Sequence, residues 1–190
     1  ATPESWLVYG EDGLFQLDTA SLLLTPYVLQ ASSGRPATVV YHLLPKGDNI
    51  LWLGTDQGLL RLDTTTGQLR NIFAEQGLPP EEVLAVYAQD SVWWLPSSNG
   101  LYHYRPASRT LCRFKKEYGL DPEFNRNAHF QSSDGGLYLG TITELYQINS
   151  ANSATLPYWL PPEFTLNVRH GIRQEASYQS HALPRDGPLI

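Results

Sequence analysis

The chain has 190 residues, enough for one sizeable domain with an apolar core of its own. Its formal net charge is −6 and its only basic concentration is Arg113-Phe114-Lys115-Lys116, which argues against a surface built to follow a nucleic-acid backbone. A single cysteine, Cys112, allows no internal disulfide, and no apolar run approaches the ~18 residues of a membrane-spanning helix. The opening Ala1-Thr2-Pro3-Glu4 carries neither a starting methionine nor a basic, apolar signal segment, so the chain reads as a processed or excised piece.

Eleven Tyr and five Trp against no Met suit pleated, half-buried positions better than helices. In chain order, residues 6–10 and 13–18 read as two strands of a hairpin, and 22–29, broken by Pro26, as a solvent-edge strand where a proline does least harm. After the polar crossover 30–36, strands are predicted over 38–44, 50–55, 58–63 and 68–73, with turns at 45–49 and at Thr64-Thr65-Thr66-Gly67. A second crossover, Gln76-Gly77-Leu78-Pro79-Pro80, leads into strands at 83–87, 92–96, 101–104 and 110–114. A third crossover at 117–122 precedes strands at 125–131, 137–140 and 144–149. Beyond them lie a proline-rich linker and one more alternating strand at 164–168.

These strands repeat. Leu51-Trp52-Leu53-Gly54-Thr55-Asp56-Gln57-Gly58-Leu59 returns about 42 residues later as Trp93-Trp94-Leu95-Pro96-Ser97-Ser98-Asn99-Gly100-Leu101, so that Trp52 maps to Trp94 and Gly58 to Gly100. It returns again at Gly136-Leu137-Tyr138-Leu139-Gly140-Thr141, and a fainter copy opens the chain at Trp6. Four copies at this period, each rich in short strands, mark an all-β chain: a partial β-propeller of four-stranded antiparallel blades, about three and a half of them. The first copy begins at its second strand and the last has no convincing fourth. An open arc is therefore expected, whose end faces another polypeptide must cover.

The wording of the repeat resembles that of the bacterial two-component regulator propeller family: a strand ending in Trp-Leu-Gly-Thr, a turn, then Gly-Leu, with a Gly77-Leu78-Pro79 crossover. Phe124-Asn125-Arg126-Asn127-Ala128 followed by Asp134-Gly135-Gly136-Leu137-Tyr138 is similar to that family's terminal blade, which precedes a small Ig-like domain with three tyrosines. The resemblance implies blades over 1–153, then a linker and the start of an Ig-like β domain over 154–190. It also implies an extracytoplasmic sensor region of a membrane-anchored histidine kinase or diguanylate cyclase, placed in the periplasm or cell envelope. The segment itself would be non-enzymatic and need no cofactor. Its partners would be the rest of the same sensor protein, or a second chain completing the propeller, and a glycan or small metabolite. Pro96-Ser97 departs from the family's Gly-Thr, and Glu144 stands where glycine is usual.

Candidate ligand contacts follow from position. The turns Asp56-Gln57-Gly58 and Ser98-Asn99-Gly100 open on the rim where propellers bind partners, although turn formation alone explains their composition. Asn125, Arg126 and Asn127 enter an innermost strand from that rim, and an arginine's rigid donor fork suits a carboxylate or sugar acid. Trp52, Trp94 and Tyr138 recur at one blade position and are assigned to interblade packing, with Gly54, Gly58, Gly100 and Gly140 serving the turns and close approaches. His42 and His129 lie at similar depth in first strands, near the central channel. Their plainer reading is as hydrogen-bonded interblade residues rather than as ligands or catalysts. No spacing suggests zinc, and a protein-interaction propeller or a metal-dependent propeller lyase remain the alternatives.

Overall fold

Each repeat is built around one hairpin, and the hairpin around one glycine. In the computed structural model, which describes residues 5–32, 34–89, 91–114, 123–133, 135–142, 144–150, 164–170 and 173–179, Gly58 and Gly100 have φ of 108° and 131°. A side chain there would be strained. The residue opposite each glycine carries a hydroxyl: Thr55 Oγ1 donates to the Gly58 carbonyl at 2.9 Å and Ser97 Oγ to that of Gly100 at 2.8 Å. Each hydroxyl also accepts from a turn amide, that of Gln57 or Asn99. Pro96-Ser97 therefore keeps the bonding of Gly54-Thr55 despite its different wording.

Four antiparallel sheets result. The first contains β1 (Ser5–Gly10), β2 (Gly13–Asp18) and β3 (Leu24–Tyr27), in that order. The second runs β4 (Val40–Pro45), β5 (Ile50–Thr55), β6 (Gly58–Asp63), β7 (Leu69–Asn71), and the third β8 (Tyr87–Gln89), β9 (Val92–Ser97), β10 (Gly100–Arg105), β11 (Thr110–Phe114). The fourth has five strands: β12 (His129–Gln131), β13 (Leu137–Gly140), β14 (Leu145–Ser150), β15 (Phe164–His170) and β16 (Arg173–Gln179). This is a partial, unclosed β-propeller arrangement. The strand expected beyond the linker is β15, hydrogen-bonded to β14, so the last sheet gains the fourth strand its sequence lacked before the linker, and a fifth.

Three boundaries differ from expectation. Residues 68–73 do not finish as a strand: after β7 the chain closes a single helical turn, α1 (Ile72–Glu75), because the Asn71 side chain accepts from the Ala74 amide at 3.0 Å. The stretch 83–87 is not a continuous strand. Val83, Leu84, Ala85 and Val86 are all buried, without alternation, as the crossover passes between two sheets. Val83 donates to the Thr55 carbonyl, Leu84 to that of Pro96 and Val86 to His42 Nδ1, so these amides are spent on three partners instead of one ladder. Similarly, Asn125 to Ala128 form a turn closed by the Ala128 amide on the Asn125 carbonyl, and only His129–Gln131 pairs as β12.

The side chains alternate between neighbouring blades as a pleated sheet requires. Leu51, Leu53, Leu60 and Leu62 face the first blade, packing with Leu14 and Leu29. Trp52 and Leu59 face the other way, onto Trp93, Leu95, Tyr102 and Tyr104 of the third. Trp94, Val92 and Leu101 then face Leu137, Leu139, Tyr146 and Ile148 of the fourth. Trp52 is 6% exposed and meets Trp93 edge-on at 4.7 Å, while Trp94 is fully buried. The blades approach so closely that a Cβ on Gly54 would lie 2.5 Å from the Val83 carbonyl oxygen, and one on Gly140 2.8 Å from Ala128 Cβ. Outside this stack two faces stay open among the described residues. Trp6 and Val8, paired with Leu17 and Phe15, form one; Tyr138 and Phe130, paired with each other, belong to the second.

Candidate functional site

The first, second and fourth blades meet around a cavity of about 390 Å³. Tyr9 and Glu11 reach it from the end of β1 and its turn, Tyr41 from β4, and Arg126, Asn127 and His129 from the entry to β12. Arg126 Nη2 bonds Glu11 Oε1 at 2.5 Å, an ion pair between the first blade and the last whose side chains are 46% and 72% exposed. Its guanidinium also lies 5.6 Å from the centroid of the Tyr41 ring. The Tyr41 hydroxyl donates to Glu82 at 2.9 Å. Burial first, and then that carboxylate, push the phenol up to about 12, so it remains a donor at any ordinary pH.

The loop that carries Arg126 is fixed from both ends. The Asn125 amide donates to the Gly140 carbonyl at 2.8 Å, and the Asn125 side chain accepts from the Asn127 amide at 3.0 Å. Below the loop, His129 hydrogen-bonds the Arg126 backbone, and its Nδ1 lies 2.5 Å from the Tyr87 hydroxyl. His42 stands 5.9 Å from the His129 ring. Burial, with the His129 charge second, lowers His42 to about 4, and burial lowers His129 as well, so both rings are neutral props. The interblade reading of these histidines agrees with this geometry.

Of the residues singled out in the sequence, Arg126 and Asn127 line the cavity and Asn125 shapes the loop behind them. The remaining turn residues do not line it. Asp56 accepts from the Thr38 amide and hydroxyl and the Val39 amide at 3.0 to 3.1 Å, clamping the first crossover onto its own blade. Gln57 bonds Asp56 and, through its carbonyl, Asn71. Ser98 donates its amide to the Glu82 carbonyl, and the Asn99 carbonyl accepts from Arg113. Sequence reasoning missed Tyr9, Glu11 and Tyr41. Glu11 had a usable signal: Gly10-Glu11-Asp12-Gly13 aligns with Thr55-Asp56-Gln57-Gly58, which puts Glu11 at the Asp56 position of the faint first copy. Among the described residues no group of three or more His, Cys, Asp or Glu side chains is placed to hold a metal ion, and no helix is long and apolar enough to cross a membrane.

No protein-family model matches the chain, and no curated protein matches it. Solved structures do. The extracellular domain of the putative one component system BT4673 from B. thetaiotaomicron superposes with a TM-score of 0.60 at 18% identity, over 90% of this chain and 21% of that one. The same domain, described as that of a putative hybrid two component system, gives 0.59 at 18% identity, over 87% and 20%. The extracellular domain of the putative hybrid two component system BT3049 from the same organism gives 0.61 at 16% identity, over 99% and 28%. The chain thus spans between a fifth and just over a quarter of the length of these domains, and what it is shown to share with them is the fold.

Proposed function

We propose that the chain is part of an extracytoplasmic ligand-sensing module of a membrane-bound signal-transduction protein, of the two-component regulator propeller kind. It would bind a small molecule or oligosaccharide and relay a rigid-body change rather than catalyse a reaction. The observation that carries this is the cavity where three blades converge. It combines two tyrosines, an arginine fork and an asparagine on a loop fixed by backbone bonds, an arrangement suited to holding a polar ring-shaped ligand. The likeness in fold to extracellular domains of putative sensor systems supports it. Because the blades interlock at Gly54 and Gly140, ligand energy gathered at the mouth moves blades as bodies more easily than it melts them.

The open faces around Trp6 and Phe130 favour a partner polypeptide, either the remainder of the same protein or a second chain. The division into blades over 1–153 and an Ig-like start over 154–190 belongs to the same proposal. In it, β15 and β16 tie the downstream domain to the last blade by backbone bonds. Calorimetry of the intact protein against cell-envelope oligosaccharides and small metabolites tests the reading, with Tyr41→Ala as the variant that strips the cavity floor. Heat lost in that variant is expected. No binding by any compound, together with unchanged signalling after deletion of residues 6–150, would overturn it.

A further inference from the structure

The cation in the cavity is only partly used. Arg70 shows what a filled arginine fork looks like in this protein: its Nε and Nη2 both bond the two oxygens of Glu75. Arg126 meets Glu11 through a single nitrogen, and that is the one carboxylate contact the described residues give it. The other acids close by are committed. Glu82 takes the Tyr41 hydroxyl, and Asp56 takes the backbone of Thr38 and Val39. Glu11 holds the repeat position of Asp56 but reaches across to the last blade instead, with most of its side chain in solvent. A carboxylate tethered to a mobile stem, resting on half of a fork above an aromatic ring, has the geometry of a stand-in for a free one.

Building on the binding cavity proposed above, we infer that Glu11 is an internal occupant of an anion position, and that a small ligand bearing a carboxylate displaces it from Arg126. The ligand's carboxylate takes two nitrogens of the fork where Glu11 takes one, and its body lies against Tyr41 and Tyr9. Exposed ion pairs are weak, so the exchange needs no large driving force. The same exchange undoes an ion pair that joins the turn of the first blade to the loop of the last. Occupancy of the site is thereby converted into a change in how the two ends of the arc are held together.

Glucuronate and glucose test this, being one ring with and without a carboxylate. Titrated into the intact protein, glucuronate should bind in preference to glucose. Glu11→Gln, which removes the competitor but keeps the shape, should tighten glucuronate about ten-fold, the equivalent of ~1.4 kcal/mol, and leave glucose unchanged. Arg126→Gln should abolish the preference. Both side chains are exposed, so neither change removes packing. The inference falls if Glu11→Gln leaves glucuronate affinity unchanged or weakens it, if Arg126→Gln keeps the preference, or if glucuronate does not bind. Equal binding of both sugars, lost in Tyr41→Ala, would overturn the role of Glu11 while leaving the binding cavity in place.

Discussion

Trp94 and Tyr138 hold the same place in successive copies of the repeat, yet one is sealed and the other half-open. Trp94 points into the last blade and has no exposed surface, with Phe114 stacked at 5.7 Å and its indole N–H on Gln89. Tyr138 points off the end of the described stack and keeps its hydroxyl on Gln147. At the other end, Trp6 occupies the position of Leu51, but where Leu51 is 7% exposed Trp6 is 64% exposed. A propeller residue is buried by the neighbouring blade and not by its own sheet. The repeat specifies which face a side chain takes, while the presence of a neighbour decides what that face is worth.

The comparison can be broken most strongly at Trp94. Trp94→Ala is expected to cost about 3 to 5 kcal/mol in denaturant melts, since transfer and cavity terms add. Tyr138→Ala, at the equivalent position, should cost less than half as much. Equal losses would mean that the blade faces are not the units of packing. Next comes Gly54→Ala. Its Cβ would strike the backbone oxygen of Val83, which cannot rotate away, so a loss of about 2 to 3 kcal/mol is expected.

A third effect comes from His103, which is 3% exposed, with neither ring nitrogen hydrogen-bonded among the described residues. Burial, and then the charge of Arg105, lower it to about 4 from the usual 6.5. The unfolded chain therefore takes its proton first as pH falls, and stability drops between about pH 6.5 and 4 and then levels off. Between pH 7 and 4.5 this one group should account for about 2.5 kcal/mol. His103→Gln should flatten that part of the pH profile of unfolding, and an unchanged slope would reassign it. The smallest effect belongs to the open end: Trp6→Ser should shift stability of the isolated chain by no more than about 0.5 kcal/mol while reducing its self-association in sedimentation.

The register of the blades was legible because it rests on local chemistry. A hydroxyl, two turn residues and a glycine recur at Thr55 to Gly58 and Ser97 to Gly100, and strand alternation carries the pattern outward from each turn. The crossovers were less legible. Residues 83–86 look like a strand because they are apolar. Their burial on every side comes from two sheets that are distant in sequence, and no local period records that. The helical turn at Ile72 hangs on one cap by Asn71, inside a stretch whose composition otherwise reads as strand. For the candidate site, Arg126 and Asn127 were found because they stand at a blade entrance. Asp56 has the same rim position but is consumed in clamping its own crossover. Tyr9, Glu11 and Tyr41 come from the first two blades, and only the curvature of the arc brings them to Arg126.

The pairing of β14 with β15 also has a mechanical meaning. Six residue pairs, from Leu145 with Arg169 to Ser150 with Phe164, lie side by side in antiparallel register. A pull along β15 loads their hydrogen bonds in shear, all at once, whereas a pull across the sheet opens them one after another like a zip. Tension delivered along this strand therefore reaches the last blade undiminished, and the edge of that sheet acts as a stiff tie rather than a tether.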